Sequence, residues 1–141
     1  MIKVTLITSI SALVDERGIR PDVELWSEAI DKYITTINPD TETKEFAKNV
    51  FENTFLYAPA DDILIRLSIA LKAHANIIAA GMRGYMAIAP PTLPNFTPVS
   101  NLGCKGGTAA ACADLMGTII DSWYKLGTAK TLNNRLTINW K

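Results

Sequence analysis

The chain predicts a mainly α fold of about four helices packed as a bundle, with a minor β element from its N- and C-terminal segments. Three observations predict it. Apolar residues recur at helical spacing between positions 20 and 126, where such periodicity marks one buried helix face. Prolines and glycines cut that span into separate runs, because neither residue continues a helix well. Alternating apolar residues occur near both ends, in Ile2–Ile10 and in the last residues of the chain, the period expected of strands.

Length and composition bound the rest. The 141 residues fit a single domain, residues 1–141, large enough to bury a core. Hydrophobic residues at 48% and charged residues at 20% match a globular chain and exclude a disordered one. Fourteen basic and fourteen acidic side chains cancel, and lysines and arginines are scattered singly, so no basic stripe points to nucleic acid. Cys104 and Cys112 are too few for a disulfide framework and too isolated for a zinc site. They point to a reducing compartment. The N-terminal run MIKVTLITSISALVDERG lacks the cleavage pattern of a secretory signal and reads as part of the fold.

The first helix is set up by Pro21 and Asp22, since proline fits a first turn and an acidic residue favours the positive helix end. Val23, Trp26, Ile30, Tyr33, Ile34 and Ile37 then define one face. Asn38-Pro39 ends it. The second helix runs from Asp40 or Thr41 to Leu56, with Phe46, Val50, Phe51 and Thr54 on one side. It stops before Ala58-Pro59. The third starts at Asp61-Asp62 and continues to about Gly81, and Ala73, Ala75, Ala79 and Ala80 keep its second half slender. Its neighbourhood, Ile63 to Met86, is the only stretch that raises a membrane question. Arg66, Lys72, His74 and Asn76 interrupt it, which favours a central helix in a soluble bundle over a membrane span.

Residues 87–107 form a proline- and glycine-rich segment, with four of the seven prolines between Pro90 and Pro98. That density predicts an extended chain. Ile88, Leu93, Phe96 and Val99 within it need cover, either from the domain's own body or from another subunit. Gly103 to Gly107 precede a fourth helix, Ala109 to Leu126, with Thr108 as its N-cap and Gly127 as a left-handed C-cap. The glycines do not form a phosphate loop, because Lys105 precedes Gly106-Gly107 instead of following it. Ala111, Leu115, Ile119 and Trp123 make the helix's apolar stripe, which leaves Asp114 and Asp121 to solvent or partners. Two helical turns separate these carboxylates by roughly 10 Å, too far to share a proton.

The tail, residues 130–141, reads as strand-like. Asn133-Asn134 tolerate a hairpin turn, and Leu136, Ile138 and Trp140 alternate. Its expected partner is Ile2 to Ile10, or a sheet in a neighbouring subunit.

Pro90-Pro91, Gly106-Gly107-Thr108-Ala109-Ala110, Ile119-Ile120-Asp121-Ser122-Trp123 and Gly127-Thr128-Ala129 resemble small virion structural proteins of tailed bacteriophages. The resemblance covers about residues 85–141. It implies a subunit of the tail, baseplate or neck, assembled in the host cytoplasm as a homo-oligomer with other virion proteins. It implies no catalysis, no cofactor, no metal, no membrane and no sequence-specific nucleic acid. The interface it suggests comprises Pro90, Pro91, Leu93 and Phe96, Trp123 of the last helix, and Leu136, Ile138 and Trp140 of the tail. Two other readings compete. Cys104 ahead of a helix and the single His74 would suit a small cysteine enzyme. The face formed by Val23, Trp26, Ile30 and Tyr33 would suit a helical adaptor or regulator.

Overall fold

The computed structural model describes residues 1–15, 18–34, 40–82, 84–102, 108–133 and 136–141. Among them are six helices: α1 (Lys3–Ile10), α2 (Val23–Tyr33), α3 (Thr41–Tyr57), α4 (Ile63–Ala80), α5 (Thr97–Leu102) and α6 (Ala109–Tyr124). The strands are β1 (Val14–Asp15), β2 (Gly18–Ile19), β3 (Tyr85–Ile88), β4 (Thr128–Thr131) and β5 (Thr137–Asn139). The fold is thus mainly α with a small antiparallel sheet, and it has more helices than the four expected.

Local chemistry starts four of these helices. Asp22, Asp40 and Asp62 accept the backbone N–H of Leu25, Thr43 and Leu64 at 3.2, 2.7 and 2.8 Å, and Thr108 accepts that of Ala111 at 3.1 Å. Each satisfies a donor the helix leaves open, a contribution of about 1 kcal/mol per cap. Arg66 donates from α4 to the carbonyls of Phe55 and Leu56, which closes the far end of α3. The helix starts fall within a residue or two of their expected places. Residues 35–39, including Ile37 and the Asn38-Pro39 stop, lie outside the described residues.

The core is formed chiefly by Leu6, Ile10, Trp26, Ile30, Phe51, Leu71 and Ile120, all fully enclosed. The face on α2 is the expected one. On α3 it is rotated: Ala47, Phe51 and Phe55 point inward while Phe46 is exposed. On α6 it is rotated too, with Cys112, Ala113, Met116, Ile120, Trp123 and Tyr124 buried and Ala111 exposed. α4 is long and apolar enough to cross a membrane by composition. Here Leu67, Ala70, Leu71, His74, Ala75 and Ile78 bury one side of it within the fold.

The largest correction concerns the N-terminus. Ile2–Ile10 is rich in β-branched residues, which favour strands, yet Lys3–Ile10 is α1. Packing overrides propensity here: Leu6 and Ile10, one turn apart, are both buried, and Ile7 lies against Gly117 of α6. A side chain at position 117 would occupy the space Ile7 fills. Thr8 and Ser11 return their hydroxyls to the carbonyls of Val4 and Ile7, both at 2.9 Å, so the polar groups of this short helix are satisfied.

The C-terminal strands pair with β3 instead. The sheet order is β3-β4-β5, with Met86 opposite Lys130, Ala87 opposite Ala129, and Ala129 opposite Ile138. Gly84, at φ 81°, turns the chain from α4 into β3 through a left-handed conformation costly to other residues. β4 and β5 pair as the hairpin expected of the tail. Thr131 donates its N–H to Leu136 O at 3.0 Å and its hydroxyl to Asn133 Oδ1 at 2.6 Å. Gly127 is not the left-handed cap the sequence suggested. Its lack of a side chain admits the ring of Trp140, whose atoms lie 2.5 to 2.9 Å from where a Cβ would stand.

Gly127→Ala is therefore expected to displace Trp140 and cost about 1–3 kcal/mol, the range for overpacking a tight site. For a chain of this size, that lowers the melting temperature by roughly 3–10 °C. Thermal denaturation followed by circular dichroism measures it, and an unchanged midpoint removes the close approach as a constraint.

Candidate interaction surface

The proline-rich segment is strapped across its own domain by three carbonyls. Pro90 O accepts from Lys72 Nζ. Thr92 O accepts from Trp123 Nε1 at 2.8 Å. Pro94 O accepts from Ser68 Oγ at 3.1 Å. Prolines cannot donate to one another, so side chains on α4 and α6 supply the donors that a sheet ladder would otherwise supply. Among the described residues the segment departs from the expected extended chain only at Thr97–Leu102, which form α5, while Ala87 and Ile88 are extended in β3.

This strap decides which candidate interface residues are accessible. Pro90, Phe96, Trp123 and Trp140 are buried within the chain, whereas Pro91, Leu93 and Leu136 are exposed and Ile138 is half-buried. Trp140 donates Nε1–H to Thr128 O at 3.0 Å, and its own backbone N–H bonds Gly127 O at 2.8 Å. It is a core anchor of the sheet.

Exposure along the sheet follows a gradient. On the inner face of β5 and its flanks, Trp140 is buried, Ile138 half-buried and Leu136 57% exposed. On β3, Ala89 is buried just beyond the strand, Ala87 is half-buried and Tyr85 is exposed. The two series run in the same direction, so the hairpin end of the sheet is the less covered end. On the outer face, Met86 and Ile88 flank Lys130 and Thr128. Sequence reasoning did not anticipate β3 as a strand: it ended the helix near Gly81 and placed Ala87 and Ile88 at the start of the extended proline-rich segment. The signal for it was the short apolar stretch between Gly84 and Pro90.

The polar residues of the interior are used in packing. Asp121, expected at the surface, is buried. It accepts the Tyr33 hydroxyl at 2.6 Å and pairs with Lys125 at 2.9 Å. Burial and the Asp121 hydrogen bond raise the Tyr33 phenol far above its usual range, so it serves as a fixed donor. His74 of α4 is sealed against α3 and α6, with Nδ1 3.0 Å from the Tyr124 hydroxyl and its ring edge-on to Phe51. Desolvation, with a smaller effect from Lys44, lowers its pKa from 6.5 to about 3. The imidazole is neutral at physiological pH and enclosed. Its proposed partner Cys104 lies outside the described residues, as does the glycine cluster. Cys112 is buried on α6.

An open cleft lined by Arg20, Asp22, Glu24, Glu52 and Leu56 gathers further polar groups. Asp22 caps α2, Glu52 accepts the Ser27 hydroxyl at 2.6 Å, and Arg20 donates to Ala12 O at 3.4 Å. Among the described residues no group of three or more His, Cys, Asp or Glu side chains is placed to hold a metal. The α2 face proposed for an adaptor's partner is occupied by the chain's own core, with Trp26, Ile30 and Tyr33 buried.

His74 predicts acid lability. With the folded pKa near 3 and the unfolded value near 6.5, the neutral ring's contribution is fully present above about pH 6.5 and is lost as the pH falls towards 3. A shift of that size corresponds to roughly 4–5 kcal/mol, a large part of a domain's total stability. Denaturant midpoints measured between pH 7 and pH 4 should fall steeply in the wild type and less in His74→Gln. Equal slopes would show that His74 is not the group responsible. No protein-family model, curated protein or solved structure matches the chain.

Proposed function

We propose that the chain is a structural subunit of a tailed-phage virion, placed in the tail, baseplate or neck and assembled through contacts between subunits. The resemblance over residues 85–141 supports this reading. The observation that carries it is the less covered hairpin end of the sheet, where the large apolar side chains Tyr85, Leu132 and Leu136 are exposed. Exposed apolar side chains grouped on one part of a surface are a feature of interaction sites, and an exposed sheet edge is one place where another chain can add a strand. Leu93 and Pro91, held outward by the carbonyl-anchored strap, add a second exposed feature. The working partners are other virion proteins and further copies of the chain, and symmetry would multiply contacts that are individually modest.

Point substitutions test this better than truncation, because removing residues 130–141 would also remove Trp140 from the core. Leu136→Asp and Leu93→Asp change exposed residues, so circular dichroism should stay close to wild type. Incorporation of a tagged chain into purified particles should fall at least several-fold for Leu136→Asp. A wild-type chain absent from purified particles would refute the virion reading. Normal incorporation of both variants would remove these residues from the interface.

A further inference from the structure

We infer that the free edge of β3 is a self-association site, at which two copies of the chain pair antiparallel about a two-fold axis to join their three-stranded sheets into one of six strands. The inference rests on the virion-subunit reading for what the contact is for, but its geometry stands on the sheet. β4 occupies the centre, which leaves β3 and β5 as edges. Among the described residues no other strand pairs with the outer side of β3.

Edge strands of stable monomers are usually guarded by charge, proline or a bulge, because an open ladder templates another strand. Tyr85-Met86-Ala87-Ile88 carries no charge and no proline, and its pairing with β4 is regular across all four positions. The strand is also self-complementary. In an antiparallel pair centred on Ala87, Met86 of one copy stands opposite Ile88 of the other, and the same contact repeats across the axis. Four apolar side chains then form one cluster on the outer face, where Met86 and Ile88 are 61% and 66% exposed in a single copy. Directly opposed side chains on one face are the stabilising unit of a sheet. Pairing β3 with the β5 edge of a neighbour instead would set Met86 and Ile88 beside Thr137 and Asn139, whose polar side chains on that face cover them poorly. This asymmetry selects the two-fold arrangement.

The area sets the strength. Counting a large side chain at ~200 Å², Tyr85, Met86 and Ile88 offer roughly 300 Å² per copy. Stable complexes bury about 800 Å² per partner. The contact is therefore reversible in solution and becomes saturated when copies are held close together, as they are within an array.

Sedimentation of the full-length chain over a wide concentration range tests this. The wild-type average mass is expected to rise from 15.4 kDa towards twice that value. Ile88→Lys and Met86→Glu, at exposed positions, should each keep the wild-type circular dichroism. Ile88→Lys, which sets a charge against an apolar partner, should weaken association by roughly tenfold or more. An equimolar mixture of the two variants should associate again, because the lysine introduced into one copy then faces the glutamate introduced into the other. A wild type that stays monomeric at its highest soluble concentration overturns the proposal. So does Ile88→Lys associating like the wild type, or a folded mixture that stays monomeric. A monomeric wild type whose incorporation into particles is lost on Ile88→Lys would assign the edge to a different virion protein and reject the second copy as its occupant. Incorporation of Ile88→Lys at the wild-type level would reject the edge contact while leaving the virion reading intact.

Discussion

A carboxylate with almost no access to water fixes the arrangement of this fold. Asp121 lies on the buried side of α6, where an ionised group is tolerated only if hydrogen bonds and an opposite charge replace its solvation. Tyr33 from α2 and Lys125 at the end of α6 supply them. One turn on, Tyr124 reaches His74 of α4. Two residues three apart thus tie α6 to two different helices by polar contacts that only one packing satisfies. Among the described residues every buried side-chain polar atom has a partner, so sliding α6 along either neighbour would strand several groups at once. The small residues serve the same arrangement: Gly117 lets α1 settle onto α6, and Gly127 does so for the final tryptophan.

The strap extends this logic to a segment that cannot support itself. Between Pro90 and Pro98 the backbone has few donors, and its carbonyls would remain unpaired against an apolar surface. Lys72, Ser68 and Trp123 meet three of them. The helices therefore determine where the proline-rich segment runs, and its outward side chains, Pro91 and Leu93, are fixed in position as a result. A loop held in this way can present a contact surface without a large ordering cost on binding.

What the sequence reveals and what it conceals follow from the range of the forces. Helix starts at Asp22, Asp40, Asp62 and Thr108 are local chemistry, and each is legible a few residues away. So is the hairpin around Asn133. The inward face of α3 is not, because Phe46 and Phe51 are equally apolar and only the neighbouring helix decides between them. Nor is α1, whose β-branched composition argues for a strand until Leu6 and Ile10 are seen buried and Ile7 against Gly117 of α6. The partner of β5 was misplaced for the same reason. Pairing over long sequence separation leaves little trace in composition, and nothing between the helix end near Gly81 and the prolines marked Tyr85–Ile88 as the partner of the C-terminal strands. Of the candidate interface, Leu93, Pro91 and Leu136 are exposed, whereas the aromatic residues chosen with them are buried within the chain.

Those aromatic residues have another use. All three tryptophans are buried, and each indole N–H bonds a backbone carbonyl: Trp26 to Arg20, Trp123 to Thr92 and Trp140 to Thr128. One therefore reports on the entry to α2, one on the strap and one on the sheet. The native molecule carries three optical probes at separate places in its own architecture. Variants retaining one indole at a time would resolve by emission wavelength whether helices, strap and sheet come apart together or in sequence, without any foreign label.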